Sequence, residues 1–150
     1  SLRREMNSMS ATEQRQFVDT NILIYAHDSS AGGKHDKAKA LVNELWQSGD
    51  GCLSIQVFQE FYVNVTRKLA IPLSPEAAIE IITDLSTWQV HSPNASDLID
   101  AIGLQTRRQI SFWDAMILTS ARQLGCRTLW SEDLNAGQNY EGVEVRNPFA

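Results

Sequence analysis

Four carboxylates stand where ionised side chains are unusual. Asp19 lies in Phe17-Val-Asp-Thr-Asn-Ile-Leu-Ile24, and Asp114 in Phe112-Trp-Asp-Ala-Met-Ile-Leu118. Glu60 sits among Val57, Phe58 and Phe61, and Asp133 falls in Ser131-Glu-Asp-Leu134. An ionised acid is seldom buried unless it is paired or bound to a metal. Two carboxylates about 6 Å apart at an effective dielectric of about 20 repel by roughly 3 kcal/mol. Four make six such pairs, and even discounted for distance the sum rivals the roughly 5–15 kcal/mol stability of a domain. If the four converge, the cluster must bind divalent cations, protonate or spread apart. All-oxygen ligation without His or Cys favours Mg²⁺ or Mn²⁺ over zinc, and water in the remaining positions is a source of nucleophile.

Each acid also has an ordinary structural reading. Asp114 is the fourth residue of Ser-x-x-Asp, a capping-box variant. Glu60 shares a helical stripe with Gln56 and Asn64, as an exposed glutamate does. Asp133 suits a turn or cap, and Asp19-Thr-Asn suits the start of a helix. Their joint placement turns on the elements that carry them.

Those elements alternate. Gln16–Val18 reads as a short strand running into Thr20–Ala26. Residues 35–48 read as a helix, with Ala38, Leu41, Val42, Leu45 and Trp46 at spacings of three and four and Gly49 as its stop. Gly51–Ser54 is a strand, and 55–69 a helix with Phe58, Phe61, Tyr62 and Val65 inward. Ser74-Pro75-Glu76 starts a helix to about Thr87 with a cap, a proline in the first turn and an acid. Trp88–His91 is a third strand, and Asn94 caps a helix to Arg108. Ser111 opens another to Leu124, stopped by Gly125. Cys126–Trp130 and Gly142–Arg146 complete five strands. Strands separated by helices imply right-handed crossovers and a mostly parallel sheet, whose sites form at the carboxyl ends of the strands. All four acids then reach one edge of the sheet.

Other chemistries lack their motifs. There is no Gly-x-Gly-x-x-Gly, Gly33-Lys34 is followed by His35 rather than Ser or Thr, and no Gly-x-Ser-x-Gly elbow occurs. A phosphatase using Asp19 as covalent nucleophile needs an acid two residues on, where Asn21 stands. Cys52, Cys126 and three scattered histidines supply neither a disulfide framework nor a zinc spacing.

The chain has 150 residues, 43% hydrophobic and 21% charged, with 13 Lys+Arg against 18 Asp+Glu and a net charge of −5. Such numbers describe one globular domain large enough for its own core. The acidic balance argues against a surface that coats nucleic acid, though not against an enzyme touching a few phosphates through cations. No run approaches the roughly 20 apolar residues of a membrane span, and no apolar signal segment opens the chain, so a reducing cytoplasm is expected. Residues 1–14 read as a disordered lead or cloning remnant, and 15–150 as the domain.

At the four acids the chain resembles the PIN-domain family, and within it the VapC-type toxins of bacterial toxin–antitoxin pairs. Phe-Val-Asp19-Thr-Asn-Ile-Leu is similar to the family's opening motif, and Gln-Glu60-Phe to its helical acid. Ser-Phe-Trp-Asp114-Ala-Met-Ile is similar to the third motif, and Leu-Trp-Ser131-Glu-Asp133-Leu-Asn to the fourth. The closing segment from Gly137 to Phe149 looks like the tail of many VapC-like members. The resemblance covers about residues 16–149. It implies a three-layer α/β/α fold around a mostly parallel five-stranded sheet. The implied activity is that of a Mg²⁺- or Mn²⁺-dependent endoribonuclease acting through a metal-activated water. Asp19, Glu60, Asp114 and Asp133 would be its catalytic and metal-holding residues, with Thr20, Asn21 and Ser131 as supports. A VapB-type antitoxin, whose tail would lie in a groove formed by helices 35–48 and 55–69, and a homodimer are implied as well. RNA processing outside a toxin–antitoxin pair, or a non-catalytic binding role, are the alternatives.

Arg122, eight residues after Asp114 and within about a quadrant of it on a 3.6-residue helix, is a candidate to reach RNA phosphate. Trp46, Trp88 and Trp113 read first as core. Trp130 and Tyr140 are candidates for base stacking or strand packing.

Overall fold

The computed structural model describes residues 14–150. The expected lead over residues 1–14 lies almost wholly outside them. In chain order the described elements are β1 (Gln16–Val18), α1 (Thr20–Ala26), α2 (Gly33–Ser48), β2 (Gly51–Ser54), α3 (Ile55–Arg67), α4 (Pro75–Leu85), β3 (Gln89–His91), α5 (Ala95–Arg108), α6 (Phe112–Gln123), β4 (Thr128–Trp130), β5 (Asn139–Tyr140) and β6 (Val143–Arg146). A 3₁₀ turn at Ser29–Ala31 joins α1 to α2.

The strands form one sheet in the order β3-β2-β1-β4-β6-β5. The first five in that order are parallel, with Phe17 opposite Cys52 on one side and Leu129 on the other. β5 is antiparallel to β6 and makes a sixth strand where five were expected. A two-residue strand carries no periodicity to read; the turn through Glu141 and Gly142, both at positive φ, folds it back onto β6.

All four residues of β2 are buried. Successive strand residues point to opposite faces, so both faces of the sheet are covered and the fold has three layers. α1 packs on α2 and α3, and α5 packs on α6. The core joins Phe17, Val18, Leu53 and Leu129 of the strands to Ile22, Leu23, Leu45, Phe61, Leu104 and Leu118 of the helices. At Gly51 a Cβ would run into the Trp88 indole, so the strand admits only glycine there without displacing that ring.

Thr20–Ala26, the segment into which the first strand runs, forms α1. It is helical from Thr20 onward, with Ile22, Leu23 and Ala26 buried at helical spacing. The Asp19 carboxylate accepts the Thr20 N–H at 2.7 Å and so turns the chain at the end of β1. Of the remaining helices, α3 to α6 start at side-chain caps, whereas α2 starts after Gly32 without one. Ser54, Ser74, Asn94 and Ser111 each accept a backbone N–H of the following first turn. Among the described residues no helix is long and apolar enough to cross a membrane.

Candidate active site

β1 is the point from which strand order proceeds in both directions, to β2 and β3 on one side and to β4 and β6 on the other. Crevices at such switch points, at the carboxyl ends of the strands, are the usual sites of parallel sheets. Asp19 stands in this one, directly after β1. Its N–H extends the ladder to Trp130 O at 3.0 Å, which fixes the backbone on both sides of the side chain.

The Asp19 carboxylate is 6% exposed. One oxygen caps α1 through Thr20 N, and the other accepts the Ser131 hydroxyl at 2.8 Å. Ser131 is fully buried after β4, and its oxygen also accepts Asp133 N and Leu134 N at 3.2 and 3.4 Å. Burial pushes the Asp19 carboxyl up to about 6 against those two lowering hydrogen bonds, and the nearby charges of Asp133 and Asp114 push the same way. Asp133 is raised too, first by desolvation and then by Asp114 and Glu132. Asp19, Asp114 and Asp133 therefore share one electrostatic environment.

Glu60 is tied to the site from α3 by a hydrogen bond with Thr20. Thr20 Oγ1 donates to Glu60 Oε2 at 3.0 Å, while Gln56, one turn earlier on α3, donates to Glu60 Oε1 at 2.7 Å. Asn21 Nδ2 donates to Asp133 Oδ2 at 2.6 Å. Asp114 enters at the third position of α6. Its N–H is capped by Ser111 Oγ at 3.0 Å, and its carboxylate makes no hydrogen bond among the described residues. No described Lys, Arg or His forms an ion pair with any of the four acids.

Excess negative charge with no cationic partner calls for a cation, and the all-oxygen donor set suits a hard divalent ion. The acids do not stand as a finished cage, for among the described residues no three His, Cys, Asp or Glu side chains converge at ligand distance. The hydrogen bonds explain the spacing. Glu60 is turned toward Gln56 and Thr20, and Asp133 toward Asn21.

A family model described as PIN domain matches residues 17–140, most of the chain. The chain belongs to the PIN domain family. Three solved structures share the fold of this PIN domain. One is Mycobacterium tuberculosis VapC20, a sarcin–ricin-loop cleaving toxin, at 23% identity and a TM-score of 0.61 over 79% of this chain and 89% of that one. The second is a toxin–antitoxin complex from Klebsiella pneumoniae, at 21% and 0.62 over 89% and 97%. The third is a DNA-bound VapBC from Salmonella typhimurium, at 16% and 0.63 over 89% and 98%. No match was found among curated proteins.

Arg122 of the PIN domain does not join the acids. It lies about 12 Å along α6 from Asp114, eight residues at 1.5 Å each. There it lines a separate cavity between α5 and α6 with Asp100, Arg107 and Glu141. The open groove beside the acids runs between α3 and the first turn of α6, with Gln56, Glu60 and Trp113 in its wall. Trp46 and Trp113, read as core, are 41% and 63% exposed. Sequence reasoning placed Gln56 only on an exposed stripe with Glu60 and gave it no role in the site. Besides holding Glu60, Gln56 donates to the Trp113 carbonyl at 3.3 Å, and its position four residues before Glu60 is the signal that could have found it.

Proposed function

We propose that this PIN domain is a metal-dependent endoribonuclease that hydrolyses RNA phosphodiester bonds. Asp19, Glu60, Asp114 and Asp133 would hold Mg²⁺ or Mn²⁺. The bound ion supplies Lewis-acid polarisation of the scissile phosphate and activation of water. The single observation that carries the reading is the cleft itself: Asp19 is buried with its carboxyl raised, Asp114 and Asp133 act on it, and no described cation offsets them.

The chain's own residues then have distinct tasks. Ser131 and the start of α1 fix the Asp19 oxygens, so that carboxylate is positioned before any ligand arrives. Thr20 and Gln56 orient Glu60, and Asn21 orients Asp133. Asp114 brings a carboxylate with no hydrogen bond among the described residues, on the first turn of α6. Water as nucleophile leaves the substrate 2′-hydroxyl out of the reaction, so the expected products carry 5′-phosphate and 3′-hydroxyl ends.

We further infer that the chain is the toxin of a VapBC-type pair, acting in the cytoplasm as a homodimer and held inactive by a VapB-type antitoxin. Support comes from the solved toxins and toxin–antitoxin complexes that share its fold.

The test is a gel assay of the purified protein on defined single-stranded and structured RNAs with Mg²⁺, Mn²⁺ or EDTA, with Asp19→Asn and Asp114→Asn as controls. Cleavage that needs the metal and disappears in both variants is expected. Cleavage that persists in both, or products ending in 2′,3′-cyclic phosphate, would overturn the mechanism. Co-expression with the product of an adjacent small reading frame should restore growth, and failure to do so would count against the toxin assignment.

A further inference from the structure

We propose that Trp113 is a stacking platform for one nucleobase of single-stranded RNA, seated in the groove between α3 and the first turn of α6. The inference rests on the ribonuclease reading and deepens it by assigning a base-binding subsite beside the acids.

Trp113 is 63% exposed on an element that is otherwise deeply buried, since every residue from Ala115 to Ala121 of α6 is inside. An indole left largely in water at the head of a buried helix is a large apolar surface that the fold does not cover. Phe112 meets it at 5.0 Å and 75°, which buttresses the ring without stacking over it. Gln56 ties the Trp113 carbonyl to the same side chain that orients Glu60, so the ring and an acid of the site share one support. The groove measures about 460 Å³ and is walled by Gln56, Gln59, Glu60, Val63, Asn64 and Trp113.

That wall selects its occupant. Glu60 is its single formal charge and is negative, so neither a phosphate nor an acidic peptide is favoured there. A neutral planar ring suits an exposed indole flanked by Val63 and amide side chains. Gln59 is exposed and makes no hydrogen bond among the described residues, which leaves its amide to pair with a base edge. Trp113 and Glu60 wall the same groove, so a base stacked on the ring sets its own backbone beside an acid of the site. The other aromatics near the sheet edge are committed. Trp130 donates its indole N–H to Gln16 at 2.6 Å, and Tyr140 is buried beneath Arg108.

Stacking on an aromatic side chain is tolerant of base identity and strong enough to read by substitution. The test measures affinity by fluorescence anisotropy for short single-stranded RNA oligonucleotides of mixed sequence, intact or with one abasic position scanned along the strand. Asp19→Asn serves as the non-cleaving background, with and without Trp113→Leu and Trp113→Phe. Cleavage kinetics of the otherwise wild-type Trp113 variants run in parallel. Trp113→Leu should weaken intact RNA by about 5- to 150-fold, with Trp113→Phe recovering part of it. The defect should vanish for the oligonucleotide abasic at the stacked position, and in cleavage it should enter through KM more than kcat.

Equal affinity of Trp113→Leu and its parent overturns the proposal. So does an equal loss on intact and every abasic RNA, which marks a structural role, and so does failure of the folded parent to bind any of these RNAs. If Trp113→Leu spares RNA but weakens a co-expressed protein partner, the groove belongs to that partner. Loss of the acid dependence of cleavage with the base-specific defect intact would remove the nuclease reading and leave the stacking site. An unchanged KM with acid-dependent cleavage would do the reverse.

Discussion

Asp97 and Asp114 occupy the same helical position in the same local sequence pattern and come to opposite ends. Each is the third residue of its helix, three after a capping Asn94 or Ser111 whose side chain accepts its N–H at 3.0 Å. Asp97 completes the box by accepting Asn94 N at 3.0 Å, and the same oxygen lies 3.2 Å from His91 Nε2. His91 Nδ1 in turn lies 2.8 Å from Ser120 Oγ. Asp114 makes neither bond, and its carboxylate faces a cleft shared with Asp19 and Asp133. A carboxylate whose lone pairs are used inside the fold stabilises it, whereas one left unused is available to something outside. Ser120, His91 and Asp97 resemble a hydrolase triad in composition, but Ser120 is 1% exposed and packs between α6 and its neighbours. That cluster closes on itself, and the Asp19 cluster does not.

Exchanging the two aspartates in function is the strongest way to break this contrast. Asp114→Asn should lower kcat/KM for RNA cleavage by about 10³-fold or more, roughly 4 kcal/mol of transition-state stabilisation. Asp97→Asn should stay within a few fold of wild type. Comparable losses in the two variants, measured at matched folded fractions, would erase the distinction.

The reciprocal experiment is on stability. Asp97→Ala removes a buried partner of His91 and half of a capping box, at a cost of about 3 kcal/mol. For a chain this long that lowers Tm by roughly 6–12 °C. Asp114→Ala should move Tm far less, because its carboxylate holds nothing in place. Thermal unfolding followed by circular dichroism in EDTA decides the matter, and an equal drop in both variants would contradict the geometry.

Asp19 extends the contrast to pH. Its folded carboxyl is raised to about 6 from an ordinary 3.8, so the folded state binds the proton more tightly than the unfolded chain. The associated stability is complete below about pH 4 and is lost as pH rises through about 6. Ionised Asp19 therefore costs about 3 kcal/mol near neutrality. In EDTA, Asp19→Asn should match wild type near pH 4 and exceed it by up to that amount at pH 7. Added Mg²⁺ should restore wild type and leave the variant unmoved. Urea titrations at several pH values measure the gap, and a gap independent of pH would overturn the assignment.

What was legible in the sequence follows the range of the forces involved. Caps are local, so Ser74, Asn94 and Ser111 marked helix starts correctly, while the Ser54 cap stood unread at the end of a strand, and the alternation of elements gave the parallel sheet. A very short pairing leaves no such mark. β5 exists because a turn at Glu141-Gly142 lays Tyr140 against Val143, and a two-residue strand has no pattern of its own. Trp113 was misread because α6 is buried continuously from Ala115 to Ala121. With no polar face, periodicity cannot say which end residue points outward. Arg122 was placed by angle alone, while the rise of the helix carries it into another cavity. At the acids, apolar context marked Asp19 and Asp114, but the division of labour among them arises in hydrogen bonds across more than a hundred residues, as from Asn21 to Asp133 and from Ser131 to Asp19.

Those bonds allow the finest test of the contrast. Ser131→Ala removes the hydroxyl that fixes one Asp19 oxygen, and Asn21→Ala frees Asp133. Partners that orient a ligating side chain typically contribute 10- to 100-fold to metal affinity or activity. Both variants should therefore lose less than Asp114→Asn, with Ser131→Ala the larger because Ser131 also accepts two backbone N–H groups behind the cleft. Raising the Mg²⁺ concentration should recover much of the Asn21→Ala defect, since Asp133 is exposed and can find its place again once an ion holds it. Recovery should be weaker for Ser131→Ala, where the buried Asp19 carboxyl loses a lowering hydrogen bond and becomes harder to ionise. If neither defect responds to Mg²⁺ in an activity titration, the two side chains support the fold of the cleft rather than the orientation of its acids.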